Sequence, residues 1–316
     1  MSKKCIGIRR EDKNVWERRV PLSPEHVEKL KKENGIKTIL QPFEKRAFRD
    51  QTYLKAGGAI SEDLSECPVI LAVKEIPLKL LLPDKTYIFF SHVIKGQLYN
   101  MPLLRRIMDL KCTLIDYECI KDDKGRRLVF FGRYAGLAGM IEALHSMGIK
   151  YKLLGYDTPF THVKSPYEYR DIDHAKMEIK KVGEEIKKDG LPNELMPFVV
   201  GFTGYGHVSL GAQEIFDLLP FEEILPEELS TLSCKRNDIL FKVVFKEEHM
   251  VEPVDKNAGF ILQDYYDHPE KYNGVFDRYI KHLNVIANCI YWDQRYPRVG
   301  TKKFLSENSD VKLKVV

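Results

Sequence analysis

No pair of cysteines in this chain is spaced as C-x-x-C, and no apolar run approaches the ~18–20 residues of a membrane-spanning helix. Cys5, Cys67, Cys112, Cys119, Cys234 and Cys289 therefore read as buried free thiols of a reducing compartment. Neither a disulfide framework nor a metal site is expected, nor is a membrane partner. A signal-peptide core is missing too. Met1-Ser2-Lys3-Lys4 runs directly into the apolar Cys5-Ile6-Gly7-Ile8, so a cytoplasmic protein is expected, with any organellar leader lying outside this sequence. An excess of one charge is also lacking. Lys plus Arg number 50 and Asp plus Glu 46, a net charge of +4. The signs are interleaved, as in Lys180-Lys181-Val182-Gly183-Glu184-Glu185, which describes a solvated helix face and not a nucleic-acid surface. Internal repeats and low-complexity segments are absent.

What is present is a core-forming composition in a chain of 316 residues, 44% of them hydrophobic, long enough for two domains of the usual ~100–150 residues. The first half alternates strands and helices. Ile6-Gly7-Ile8, Lys37 to Gln41, Val69 to Val73, Thr86 to Phe90 and Thr113 to Ile115 read as strands. Ser23-Pro24 caps and opens a helix that Asn34-Gly35 stops, and a second helix is expected from about Gly96 to Leu110. This order predicts an α/β fold with a mostly parallel sheet. Leu128 to Phe131 reads as a further strand and Ala135 to Met147 as a long helix, with Gly136 and Gly139 on one face for close packing. Tyr156 to Asp171 reads as a loop and Asp173 to Lys188 as a charged helix.

Phe198 to Phe202 then predicts a strand running into Gly204-Tyr205-Gly206-His207-Val208-Ser209, with the helix Gln213 to Leu219 beyond. Strand, glycine-rich turn and helix in this order describe a Rossmann nucleotide unit. Gly204 allows the tight turn, Gly206 lets a pyrophosphate approach, and the helix N-terminus offers N–H groups. Ser209 stands where a third glycine is usual. Pro226, after an expected strand from Glu222 to Leu225, stands where an NAD-preferring unit carries an acid, with Glu227 one step on. This leans towards NADP(H) and leaves NAD(H) open.

Charge is concentrated in the first half, around Arg19, at Lys74 and at His92 with Lys95, each near the C-terminal end of an expected strand, where parallel sheets build sites. Singly, Arg19 reads as a surface arginine, Lys74 as a loop lysine and His92 as a hydrogen-bonded cap. Their shared place makes Lys74 and His92 candidate acid–base groups and Arg19 a candidate carboxylate clamp.

Ile6 through Pro24, with its Arg10-Glu11-Asp12-Lys13-Asn14-Val15-Trp16-Glu17-Arg18-Arg19-Val20-Pro21, resembles the opening of the lysine–ketoglutarate reductases, the first half of the bifunctional aminoadipic semialdehyde synthases. The likeness continues at Tyr53-Leu54-Lys55-Ala56-Gly57-Gly58, Phe89-Phe90-Ser91-His92, Phe131-Gly132-Arg133-Tyr134-Ala135-Gly136 and Ile290-Tyr291-Trp292-Asp293-Gln294. The lysine-forming saccharopine dehydrogenases share this fold and run the chemistry in reverse. Alanine dehydrogenase and the transhydrogenase subunit are more distant. The resemblance implies that Lys74 and His92 are the acid–base pair, that Arg19, Lys95 and Arg127 contact substrate, and that Glu118 and Phe131 line the same cleft. It implies condensation of lysine with 2-oxoglutarate, reduction of the imine by a nicotinamide, and saccharopine as product. It also implies a saccharopine dehydrogenase domain fused to or paired with this one.

The expected organisation is a substrate domain over 1–134, a linking helix and loop over 135–190, and a Rossmann domain over 191–316, with a cleft between the two domains. Val311 to Val316 reads as a buried strand, so the chain is expected to be part of a longer one. Two rival readings stand beside this one. An alanine-dehydrogenase-like enzyme is disfavoured by Lys95, Arg127 and the segment Phe131 to Met140. A non-catalytic nucleotide-binding domain is the other.

Overall fold

Residues 4–234, 236–308 and 311–316 are described by a computed structural model, in which the chain divides into units Met1–Phe130 and Phe131–Val316. In the first unit, β1 (Cys5–Ile8), β2 (Lys37–Leu40), β3 (Ala59–Ile60), β4 (Val69–Leu71), β5 (Thr86–Phe89) and β6 (Thr113–Asp116) form one sheet in the order β3-β2-β1-β4-β5-β6. Every pairing in it is parallel. Ile8, Leu40, Ile70, Tyr87 and Phe89 are buried, each apolar side chain contributing about 1.5–3 kcal/mol. The strand order reverses between β1 and β4, the switch point at which open α/β sheets place ligands.

Helix α1 (Pro24–Asn34) forms as its caps require: the Ser23 hydroxyl accepts from the His26 amide, and Gly35 takes a left-handed φ of +63°. After α2 (Asp50–Lys55), the helix expected from Gly96 starts later. Gly96 is left-handed at φ +63°, a 3₁₀ turn spans Leu98–Asn100, and Pro102 sits in the first turn of α3 (Met101–Asp109). The strand expected over Leu128 to Phe131 does not form. A turn at Gly125 allows one antiparallel bridge, Lys121 with Arg127, and Leu128, Phe130 and Phe131 beyond it are exposed, without the burial that holds a strand.

The second unit opens on α4 (Gly132–Leu153), longer than the expected helix, followed by α5 (Ile172–Asp189). Leu137, Met140 and Leu144 of α4 and Ile179 and Val182 of α5 belong to its core. Strands β7 (Val199–Thr203), β8 (Phe221–Glu223) and β9 (Leu240–Phe245) follow, with helix α6 (His207–Phe216) between β7 and β8. After α7 (Glu247–Met250) and the hairpin of β10 (Val251–Pro253) and β11 (Tyr272–Gly274) comes β12 (Val285–Asn288). The sheet is parallel, in the order β12-β7-β9-β8. The strand that follows α6 is therefore at the outside, and β9 is inserted between it and β7.

Helices α4 and α6 meet backbone to backbone. A Cβ on Gly136 would lie 1.9 Å from the Val208 carbonyl oxygen, and one on Gly211 would lie 2.1 Å from that of Arg133. Gly139 faces open space, so the close-packing role expected of it belongs to Gly211. Val311 to Val316 makes only a bridge, Val315 with Val285. Lys312 and Lys314 alternate with Leu313 and Val315 there, a half-exposed pattern and not a buried one.

Candidate active site and cofactor turn

Parallel pairing of β4, β5 and β6 brings Lys74, His92 and Glu118 to the same end of the first sheet, because each follows the C-terminus of its own strand. Glu118 is the centre of the cluster. Its Oε2 lies 2.7 Å from His92 Nδ1, while Oε1 lies 3.2 Å from Arg127 Nη1 and 3.5 Å from Lys95 Nζ. Burial pushes the Glu118 carboxyl upward. The hydrogen bond with His92 and the charges of His92, Lys95 and Arg127 outweigh it and hold the group below its ordinary value. With Glu118 ionised, a neutral His92 carries its proton on Nδ1 and presents Nε2 as a base. Phe90 stacks on the imidazole at 6.1 Å between ring centres.

Asp116 was missed in the sequence and is what fixes this pair. Its Oδ2 accepts from the amides of Ser91 and His92, both at 3.1 Å, and from the Ser91 hydroxyl. Its Oδ1 accepts from the Glu118 amide at 2.8 Å. His92 itself holds φ at +58°, a left-handed conformation rare for a residue with a side chain and maintained here by these bonds. Glu11 was also missed. This buried carboxylate accepts from Val73 N at 2.7 Å and from Lys74 N at 2.9 Å, so it ties the end of β1 to the segment that carries Lys74. The available signal for both was an acid at or just after the end of a parallel strand.

Arg19 makes a two-pronged pair with Glu17, Nε to Oε1 at 2.7 Å and Nη2 to Oε2 at 2.6 Å. Its guanidinium is thus presented to solvent against a buried carboxylate. Phe131 is the N-cap residue of α4, at the start of the second unit.

In the second unit the strand order changes direction between β7 and β12, and the glycine turn follows β7 at that point. Thr203 Oγ1 joins the two strand ends, donating to Asn288 Oδ1 at 3.0 Å and accepting from the Cys289 amide at 3.1 Å. Gly204 has φ +79°, and a Cβ there would lie 2.9 Å from Ile290. A Cβ on Gly206 would meet nothing within 4 Å. The first bond of α6 runs from Leu210 N to Gly206 O, so the amides of His207, Val208 and Ser209 precede the helical ladder. A cavity of about 370 Å³ lies at this turn, lined by Gly204, Tyr205, Gly206, Glu247, Tyr266 and Ile290 among others. An open cradle at a helix N-terminus, beside a largely apolar, aromatic-lined cavity that carries the Glu247 carboxylate, fits a dinucleotide. Ser209 offers it only main chain, because it is buried with its hydroxyl accepting from Gln213, while the Val208 carbonyl packs against Gly136. Helix α6 begins at His207, earlier than the expected Gln213.

The ground for favouring NADP(H) does not hold. Strand β8 ends on Glu223, not Leu225, Pro226 opens a 3₁₀ turn, and β8 is not the neighbour of β7.

Residues 7–138 match the model of the alanine dehydrogenase/PNT N-terminal domain. Over 320 residues the chain is 43% identical to the alpha-aminoadipic semialdehyde synthase of Arabidopsis thaliana, covering 96% of this chain and 30% of that protein. The mitochondrial alpha-aminoadipic semialdehyde synthase of Bos taurus is 42% identical over 306 residues, 95% of this chain and 32% of that one. The chain is a homologue of the aminoadipic semialdehyde synthases. A lysine-forming, NAD(+) saccharopine dehydrogenase of Candida glabrata is 30% identical over 236 residues, 72% of this chain and 61% of that one. Among solved structures, an L-alanine dehydrogenase aligns with a TM-score of 0.48 and 17% identity, over 89% of this chain and 64% of that one. This synthase homologue spans about a third of the length of the two aminoadipic semialdehyde synthases. Among its described residues no helix is long and apolar enough to cross a membrane.

Proposed function

We propose that this chain carries out the lysine–2-oxoglutarate reductase reaction of lysine metabolism, with saccharopine as product or, in reverse, as substrate. The observation that carries the reading is the convergence of His92, Lys95 and Arg127 on one carboxylate, Glu118, at the sheet end that also bears Lys74. In the forward direction the ε-amine of lysine attacks the ketone carbon of 2-oxoglutarate. The amine must first lose a proton, and the resulting hydroxyl must gain one to leave as water. Lys74 and His92 are the groups assigned to these transfers, with Nε2 of His92 presented as a base by its bond to Glu118. Lys95, Arg127 and Arg19 supply cationic charge suited to a carboxylate-rich substrate pair. A nicotinamide, when bound, supplies the hydride that reduces the carbon–nitrogen double bond. Gly204, Gly206 and the first amides of α6 would hold its pyrophosphate.

The test is oxidation of NADH and NADPH by the full chain, with lysine and 2-oxoglutarate supplied together and singly. Oxidation that needs both supports the reading. Oxidation with pyruvate and ammonia instead would make the protein an alanine-dehydrogenase-like enzyme. Dinucleotide binding with no turnover on either pair, in this chain and in a longer protein containing it, would leave a nucleotide-binding domain.

A further inference from the structure

We propose that the first unit holds a second binding site, for a zwitterionic α-amino acid with an apolar side chain of the size of leucine or phenylalanine. The site is a cavity of about 640 Å³ at the place where the strand order reverses between β1 and β4. Its volume is that of a small-molecule pocket, and such a reversal is where open α/β sheets leave a crevice. Arg9 and Gln41, the residues just past β1 and β2, stand at one end of it. Ile70 and Tyr87, paired neighbours in β4 and β5, lie further down the sheet. Lys74, His92, Lys95, Glu118 and Arg127 do not line it, so it is separate from the cluster around Glu118.

The lining divides by chemistry. Leu64, Ile70 and Tyr87 are buried, and with Leu80 and Leu82 they give the cavity an apolar floor. The Tyr87 hydroxyl already accepts from the Leu82 amide at 2.7 Å, so this tyrosine offers its ring and not its phenol. A charged side chain placed on that floor would lose its water and gain no partner, which selects against lysine and 2-oxoglutarate, the substrates of the reaction proposed above. The remaining lining carries both signs: the cations Arg9, Arg10 and Lys79, and the acids Asp12, Glu62 and Asp63. A ligand of one sign would meet like charge there, whereas a zwitterion is matched at both ends. Arg9 is buried, yet its Nη1 and Nη2 each make one bond, to the Arg10 carbonyl and to Asp12. A guanidinium offers five N–H donors, and those left over suit a carboxylate. Lys79 is exposed and makes no ion pair among the described residues, so its charge is available to the same carboxylate. Asp63 accepts from the Ser65 amide and hydroxyl, both at 2.8 Å, one bond to each oxygen, which leaves it acceptor capacity for an ammonium.

Calorimetric titration of the full chain with leucine and with phenylalanine tests this without turnover, so its outcome is independent of the reductase reading. The controls are the matching carboxylic acids without the amine and the matching amines without the carboxylate. One of the two amino acids should bind, and its single-charge analogues should bind at least about tenfold more weakly, the equivalent of about 1.4 kcal/mol. Lys79→Glu reverses the available cation and Leu80→Trp fills the floor. Both positions are exposed, so both variants should unfold at the wild-type temperature while binding about tenfold or more weakly. Absence of binding by leucine and phenylalanine at millimolar concentration would overturn the proposal. An analogue of single charge that binds as tightly as the amino acid would also overturn it, as would unchanged affinity in both folded variants.

Discussion

His92 Nδ1 lies 2.7 Å from Glu118 Oε2, and the backbones of both residues are held by the single carboxylate of Asp116. The pair is thus oriented twice, through its side chains and through the loops that present them. Glu118→Gln keeps the volume and removes the charge. Turnover with lysine and 2-oxoglutarate should fall by at least about tenfold, part of the ~10²–10⁴-fold that general acid–base groups contribute. Dinucleotide affinity should not change. Equal losses in both quantities would argue against the assigned role.

Glu118 also predicts a pH dependence of stability. A carboxyl held below its ordinary value of 4.5 stabilises the folded state above that value. The contribution is lost as pH falls through the lowered folded value. The stability difference between wild type and Glu118→Gln, from urea unfolding, should be greatest near neutrality and shrink below about pH 4.3. A gap that stays constant with pH would mean that Glu118 acts through packing alone.

Lys74 and Arg19 separate by a different measurement. Lys74→Met should cut turnover by about 10²–10⁴-fold with little change in melting temperature. Arg19→Ala leaves the buried carboxylate of Glu17 without its two-pronged partner, so this change should cost stability, about 1 kcal/mol after allowance for the exposure of the arginine. It should also raise the Michaelis constant for 2-oxoglutarate. A Lys74→Met variant that melts early and turns over normally per folded molecule would make Lys74 structural.

Much of this architecture is legible in the sequence because the signals are local. Ser23, Pro24 and Gly35 mark α1 by cap chemistry that operates within a few residues. Val69, Ile70 and Leu71 mark β4 because a strand buried on both faces reads as a continuous apolar run. The same rule misleads at Leu128 to Phe131, where apolar residues run together with no sheet beside them. Strand order is not local. Nothing in Phe221 to Phe245 announces that β9 lies inside β8, and the cofactor argument based on Pro226 failed there. Glu11 and Asp116 escaped for a related reason. Each works by accepting main-chain N–H groups from a neighbouring strand end, and main-chain amides have no sequence signature.

The glycines Gly136, Gly139 and Gly206 give a test in which stability and binding move independently. Gly136 and Gly139 are three residues apart, so on a helix of 3.6 residues per turn they are offset by about 60° and look equivalent in sequence. In the structure they are not. A methyl on Gly136 would enter the backbone of α6, and the helices must separate to admit it, which typically costs ~1–3 kcal/mol or more. A methyl on Gly139 meets nothing, so Gly139→Ala should stabilise by up to about 1 kcal/mol through helix propensity alone. Gly206 has an extended backbone, φ −78° and ψ −173°, that any residue adopts, with open space where a side chain would go. Gly206→Val should therefore leave the melting temperature near wild type and still weaken dinucleotide binding sharply, because the added side chain fills the cradle at the start of α6. Thermal melts and dinucleotide titrations on the three variants decide the matter. A Gly206→Val protein that binds NADH and NADPH as the wild type does would remove the turn from the binding site, and a Gly136→Ala protein of undiminished stability would disprove the backbone contact between α4 and α6.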